Sequence, residues 1–300
     1  MDRNRRTAFV ALTAAGLLWG FSVPLSKLAL DWLGPGWLTV ARFAVAAPLL
    51  ALAGRRGLRA ALTWPVAAGG AGGYGAVIVL QNAGIARTSV SHAALIVGAV
   101  PVLVALIAVG LGRGSANRTA WLGFGLALAG VGLVAGAGGG DAALAGDALV
   151  LASVTGAAAF MVAQPALLAG RDPVAVTAVQ LAAGGALALP LAVALEGAPA
   201  APAGAAGVAA ALALAVAGTA APFALFAFGQ ARVAPELAGA FVNLEPLVGA
   251  AAGALAFHDP FGPAQLAGAA AVVAGIALSA AGARLPRERL RVRVRLAALR

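Results

Sequence analysis

Residues Ser89–Gly110 read SVSHAALIVGAVPVLVALIAVG, with no Asp, Glu, Lys or Arg, and with only aliphatic residues, Gly and Pro after His92. A helix needs about 20 consecutive apolar residues to cross the hydrocarbon core of a bilayer. The other spanning structure, a β-barrel, is built from alternating segments of about 10 residues. This run is continuous and not alternating, so it predicts a membrane-spanning helix whose backbone groups bond within the segment.

Similar runs recur on both sides of it. Ten spans are predicted: Ala8–Leu30, Gly36–Ala53, Pro65–Ile85, Ser89–Gly110, Ala120–Ala137, Asp147–Ala169, Val174–Leu195, Gly204–Gln230, Glu236–Phe257 and Pro263–Ala281. The chain is 62% hydrophobic and 10% charged, with a mean hydropathy of +0.97. A soluble domain carries about 25% charged residues, so this chain lacks the means to cover a water-facing surface. The fold class expected is an all-α polytopic membrane protein. The first run follows Arg3, Arg5 and Arg6, but it is long, holds Trp19, Pro24 and Lys27, and precedes further spans. It reads as a retained helix and not a cleaved signal.

Lys and Arg set the orientation. With the N-terminus inside, the inside segments hold Arg3, Arg5, Arg6, Arg55, Arg56, Arg59, Arg113, Arg118, Arg171, Arg232 and the seven arginines from Arg284 to Arg300. That is 17 of the 20 basic residues. The outside loops hold Arg87, while Lys27 and Arg42 lie within spans. Asp31, Asp141, Asp147, Glu196 and Asp259 fall at the outside. Losing one span would scatter the arginines, so the split supports both the count and cytoplasmic N- and C-termini. Trp32 and Trp37 fall at the outer interface and Trp64 and Trp121 at the inner one, where aromatic belts sit.

The net charge of +10 does not indicate nucleic acid, because the basic residues lie between or beyond the apolar runs and not on one folded face. The tail Arg284–Arg300 alternates Arg with apolar residues and is expected to bind anionic lipid headgroups. There is no cysteine, and His92 and His258 lack metal-ligand spacing, so no metal and no cofactor is expected. A homo-oligomer is compatible with the sequence.

A shift of 145 residues places Ala86-Arg87 on Ala231-Arg232, Pro101 on Pro246, Gly123 on Gly268 and Gly130 on Gly275. The constant offset predicts two five-helix repeats, residues 8–137 and 147–281, joined by a Gly-rich linker, 138–146. They lie between a short cytoplasmic segment, 1–7, and the basic tail, 282–300. An odd number of spans per repeat makes the second copy inverted. Inverted repeats around a midplane site characterise secondary transporters, although channels and some enzymes also carry repeats.

Charges inside spans are costly and usually face an interior cavity. Arg42, about seven residues into the second span, is either a snorkelling or ion-paired residue or an anchor for a carboxylate, which guanidinium binds bidentately. Glu245, near the middle of the ninth span, is either a proton-coupling or amine-binding group or a structural partner of Lys27 or Arg42. Lys27 is close enough to the end of its span to snorkel. Trp19 lies mid-membrane among Gly16, Gly20 and Pro24 and either lines a cavity or simply packs; the Gly and Pro around it point to a cavity wall. Tyr74, within the run Gly69–Gly75, and the amides Gln81, Asn82, Gln164 and Asn243 are candidates to face substrate. Ser91, His92 and Gln180 are polar as well, although interhelical hydrogen bonds account for many such residues. His92, near a helix end, is read as interfacial. Pro24, Pro101 and Pro246 are candidate hinges, since each frees a carbonyl one turn earlier.

Several of these residues together carry a resemblance. Trp19-Gly20-Phe21-Ser22-Val23-Pro24 with Lys27, Ala41-Arg42-Phe43, Ala86–Leu95 leading to Pro101, Ala231–Glu236, Leu244-Glu245-Pro246, and Gly268 with Gly275 follow one another as in EamA-type members of the drug/metabolite transporter superfamily. The resemblance spans about residues 8–281. It implies ten helices in two inverted repeats and movement, commonly export, of small metabolites such as amino acids and their derivatives. The family often carries Gly-Glu after the fourth and ninth helices, where this chain reads Leu111-Gly112-Arg113 and Phe257-His258-Asp259.

The function expected is therefore a secondary transporter of small metabolites. No P-loop motif supports direct use of ATP. An intramembrane enzyme would need paired Asp residues, a Ser/His dyad or a His-rich metal site within its spans, and the sequence offers none. A scaffold that transports nothing would lack a polar cavity.

Overall fold

The computed structural model describes residues 3–112, 115–136, 140–202, 204–230, 241, 244–259 and 262–284. Helices α1 (Arg3–Gly20) and α2 (Ser22–Ala29) form one rod interrupted at Phe21. The interruption follows from Pro24, which has no N–H to offer the Gly20 carbonyl one turn back. The Phe21 N–H bonds instead to the Leu18 carbonyl at 3.2 Å. The same device acts between α7 (Val90–Val97) and α8 (Val100–Gly110), where the break falls just after Val97, one turn before Pro101. Between these rods lie α3 (Pro35–Ala53), the short α4 (Leu58–Ala61), and α5 (Trp64–Gly70), which leads through a π-helical turn (Ala71–Ala76) into α6 (Val77–Ile85).

Next come α9 (Arg118–Gly136), α10 (Gly140–Leu168) and α11 (Pro173–Glu196). Then α12 (Ala205–Ala215) leads through a second π-helical turn (Val216–Ala220) into α13 (Ala221–Gln230). Beyond residue 243 lie α14 (Leu244–Ala256) and α15 (Pro263–Gly282). Most of the expected linker 138–146 belongs to α10, because Ala142, Ala143, Leu144 and Ala145 are strong helix formers. Two-residue strands, β1 (Ser115–Ala116) and β2 (Ala283–Arg284), pair antiparallel.

Among the described residues, six helical rods are long and apolar enough to cross a membrane: Arg6–Ala29, Pro35–Ala53, Val90–Gly110, Ala143–Leu168, Pro173–Glu196 and Ala205–Phe226. Arg118–Leu133, Leu244–Ala256 and Pro263–Leu278 are shorter apolar helices. Leu52, Leu122, Leu195 and Leu255 point outward, while Phe43, Leu50 and Leu181 pack together inside, as do Ile85, Val90, Ile96 and Val150.

Contacts between helices place the carboxylates of Glu196, Asp147 and Asp259 against Gly36, Thr88 and Ser91, and elsewhere place Arg171 on Ala60 and gather Arg55 and Arg56 around Asp172. We call these the acidic and basic ends.

The chief helix pairings are α9 with α15, α3 with α11, α6 with α10, α1 with α13, and α7 with α14. Small residues permit the first of these. A Cβ at Gly130 would lie 2.7 Å from the Gly268 carbonyl oxygen and 2.8 Å from the Val272 nitrogen, and one at Gly275 would lie 2.7 Å from the Gly123 carbonyl oxygen. Both obstacles are backbone, so neither can rotate away. Gly130→Ala should therefore force α9 and α15 apart and destabilise the protein by about 1–3 kcal/mol. A lower melting temperature in detergent is the expected result, and an unchanged one would refute the close packing.

Candidate functional site

A cavity of about 90 Å³ lies within the bundle. Its lining follows helical periodicity. Trp19, Ser22 and Ser26 come from one face of the α1–α2 rod, and Tyr74, Ile78, Gln81 and Ile85 from one face of the α5–α6 rod, at the spacings that align side chains on a helix. Arg42 and Phe43 enter from α3, Phe223 from α13 and Glu245 from α14.

One wall is aromatic. Phe223 meets Trp19 edge-on at 5.3 Å between ring centroids and Tyr74 edge-on at 5.5 Å, while Phe226 backs Trp19 and Phe160 backs Tyr74. Edge-to-face contacts of this kind hold rings in place, which gives the wall a defined shape.

The cavity also receives two opposite charges. Arg42 is only 6% exposed, and its Nε donates to Thr219 Oγ1 at 3.0 Å. Its two terminal nitrogens have no protein partner among the described residues, and neither does the Glu245 carboxylate. The one ion pair within 4.0 Å among those residues lies elsewhere, so Arg42 and Glu245 share the cavity without neutralising each other directly. Guanidinium and carboxylate groups in such a setting bind ligand groups of opposite charge strongly.

Other residues singled out from the sequence lie off the cavity. Asn82 donates to Thr39 Oγ1 at 3.0 Å and is fully buried between α3 and α6. Gln164 and Gln180 exchange two hydrogen bonds of 2.9 Å, a closed amide pair between α10 and α11. Lys27 Nζ donates to the carbonyls of Thr88 at 2.7 Å, Ile85 at 2.9 Å and Ala86 at 3.4 Å. It thus satisfies the exposed C-terminal carbonyls of α6, with which a cation pairs well. Pro24, Pro101 and Pro246 stand at the breaks or starts of α2, α8 and α14. Asn243 lies outside the described residues.

Sequence reasoning did not single out Ser22, Ser26 or Phe223 as lining residues. Trp19 marks the face of its rod, and counting three and seven residues onward from it points to both serines. His92, in the first turn of α7, is held inside the protein. It is 5% exposed, and its Nδ1 lies 3.0 Å from Asp147 Oδ2. Asp147 is itself 1% exposed and also accepts from the Thr88 hydroxyl. No group of three or more His, Cys, Asp or Glu suited to a metal ion occurs among the described residues.

Rods long and apolar enough to cross a membrane thus surround a small cavity lined by charged and aromatic groups, and comparison with known proteins gives the family. The EamA-like transporter family matches residues 6–136 and 144–281. The chain belongs to this family and is an integral membrane protein of the drug/metabolite transporter superfamily. No curated protein matches it. A crystal structure, described only as that of a protein, aligns with a TM-score of 0.67 at 22% identity, covering 91% of this chain and 96% of the other. That likeness concerns the fold.

Proposed function

We propose that this protein is a secondary transporter that exports small metabolites by alternating access, and that its substrates carry both an acidic and a basic group, as amino acids and their derivatives do. The observation that carries this reading is the pairing of Arg42 and Glu245 on one cavity, where, among the described residues, neither the terminal nitrogens of Arg42 nor the Glu245 carboxylate has a hydrogen-bond partner. Arg42 would take the substrate carboxylate. Glu245 would take an amine, or a proton when the site is empty, and the aromatic wall would hold the ammonium face by cation–π attraction. At about 90 Å³ the cavity is smaller than the roughly 300–1,000 Å³ of ordinary ligand sites, which matches a contracted state that must widen to admit solute.

Ten spans in two inverted repeats would permit the alternation, and three observations support that arrangement. The family matches in two stretches of similar length. The π-helical turns begin at Ala71 and Val216, again 145 residues apart. Gly130 abuts Gly268 and Gly275 abuts Gly123, a reciprocal contact expected of two-fold related helices. With the basic end placed in the cytoplasm, the termini would be cytoplasmic and the arginine-rich tail sequence suited to bind anionic lipid.

The test is a comparison of metabolites released by cells that overproduce the protein with those released by cells that lack it. Enrichment of one or a few zwitterionic metabolites in the medium of the overproducing cells is expected. Indistinguishable profiles would reject the export reading.

A further inference from the structure

Arg42 has a partner whose chemistry fixes how it presents itself. Thr219 lies in the π-helical turn Val216–Ala220, is fully buried, and does not line the cavity. Its hydroxyl donates to the Leu214 carbonyl at 2.8 Å, five residues back. In an α-helix a threonine hydroxyl reaches the carbonyl three or four residues back. The wider π turn brings the fifth into range. A hydroxyl has one proton. With that proton committed to Leu214, the Thr219 oxygen faces Arg42 as an acceptor, and Arg42 Nε–H, which can only donate, fills it at 3.0 Å. The guanidinium is planar. Holding Nε therefore restrains the plane and leaves the two terminal nitrogens of this cavity-lining residue free of Thr219, as an edge that can grip a carboxylate with two parallel bonds.

The equivalent position of the other π-helical turn, 145 residues earlier, is Tyr74, which lines the same cavity. The two wide turns thus deliver one direct wall residue and one residue that acts through Arg42.

We infer that Thr219 is the positioning residue for Arg42 and sets the preference of the transporter for solutes bearing a carboxylate. The preference rests on the function proposed above, whereas the Thr219–Arg42 contact does not. The test therefore has two arms.

In the first arm, full-length protein labelled with ¹⁵N-arginine is placed in nanodiscs, and the Arg42 Nε–H resonance is assigned by its loss in Arg42→Lys. That proton should be protected from solvent exchange. Thr219→Val, which keeps the shape and removes the oxygen, should shift the resonance and speed its exchange about tenfold or more, while Thr219→Ser should leave both close to wild type. An unmoved resonance in Thr219→Val overturns the contact. Equal changes in Val and Ser also overturn it, because the packing of the methyl group and not the hydroxyl would then be holding Arg42. Melting temperatures of the three proteins report any general loss of fold.

In the second arm, the same variants are compared by metabolite release from cells. Thr219→Val should reduce export of carboxylate-bearing metabolites about tenfold or more relative to metabolites without a carboxylate, and Thr219→Ser should keep the wild-type pattern. A uniform loss across all metabolites overturns the selectivity role. If the wild-type protein exports nothing, the transport reading fails and the selectivity role fails with it, while the resonance still decides the contact.

Discussion

Arg42→Ala is expected to lower export of carboxylate-bearing solutes by about a hundredfold or more, with a far smaller effect on solutes lacking a carboxylate. Losing one partner of a buried charged contact costs about 2–5 kcal/mol, and about 1.4 kcal/mol is a factor of ten. The guanidinium is buried, held by Thr219, and lines the cavity, so little solvent screening weakens its hold on an anion. The measurement is uptake into proteoliposomes of the metabolites identified by release, compared with their amide or decarboxylated analogues. Equal losses for both kinds of solute would assign Arg42 to structure. Arg42→Lys keeps the charge but not the planar fork, and an intermediate loss is expected of it.

Glu245→Gln should abolish accumulation driven by a proton gradient while leaving a weakened exchange of labelled for unlabelled solute across the same vesicles, since the amide still accepts a hydrogen bond from the substrate amine but no longer pairs with its charge. The amide has the shape of the carboxylate but cannot give up or take a proton at the cavity. Accumulation needs that cycle, and exchange at equal concentrations does not. Persistence of proton-driven accumulation in the variant would remove Glu245 from coupling. Exchange as fast as in the wild type would remove Glu245 from binding the substrate amine. The two charges also compensate each other at a distance, since both line one small cavity. Removing either alone leaves the other uncompensated, which is the costly case for buried charges. The double variant Arg42→Ala with Glu245→Gln should therefore lose less stability than the sum of the two single losses.

The rods were legible because a bilayer demands long apolar runs, and the residues at their bends were legible because proline removes a particular hydrogen bond. Arg42 and Glu245 stood out for a related reason, as a charge within such a run is expensive and therefore informative. The partners of these residues were not legible. Thr219 is an ordinary threonine in an apolar stretch, and its role arises from a wide turn that hydrophobic periodicity does not announce. The glycines around Tyr74 indicated close packing, which Gly75 shows against Gly184, but not the π-helical turn itself. His92 and Asp147 are 55 residues apart and meet only because α7 packs on α10. Gln164 and Gln180 were each visible as polar groups in spans, yet two amides that satisfy each other look, residue by residue, like two amides that await a ligand.

Three carboxylates from residues 147–281 reach across to residues 8–137 at the acidic end. Glu196 accepts from the backbone N–H groups of Gly36 at 2.6 Å and Trp37 at 3.2 Å, Asp259 from that of Ser91 at 2.7 Å, and Asp147 holds Thr88 and His92. Trp32 and Trp37 add bonds to the carbonyls of Ala200 and Gly197. Hydrogen bonds to charged groups contribute about 1.5–3 kcal/mol each, so parting this face in an empty molecule demands several kcal/mol. At any moment about one idle molecule in a thousand or fewer would stand open there. In the transport cycle proposed above the fasteners would act as insulation, letting little solute run back through the empty protein between loads.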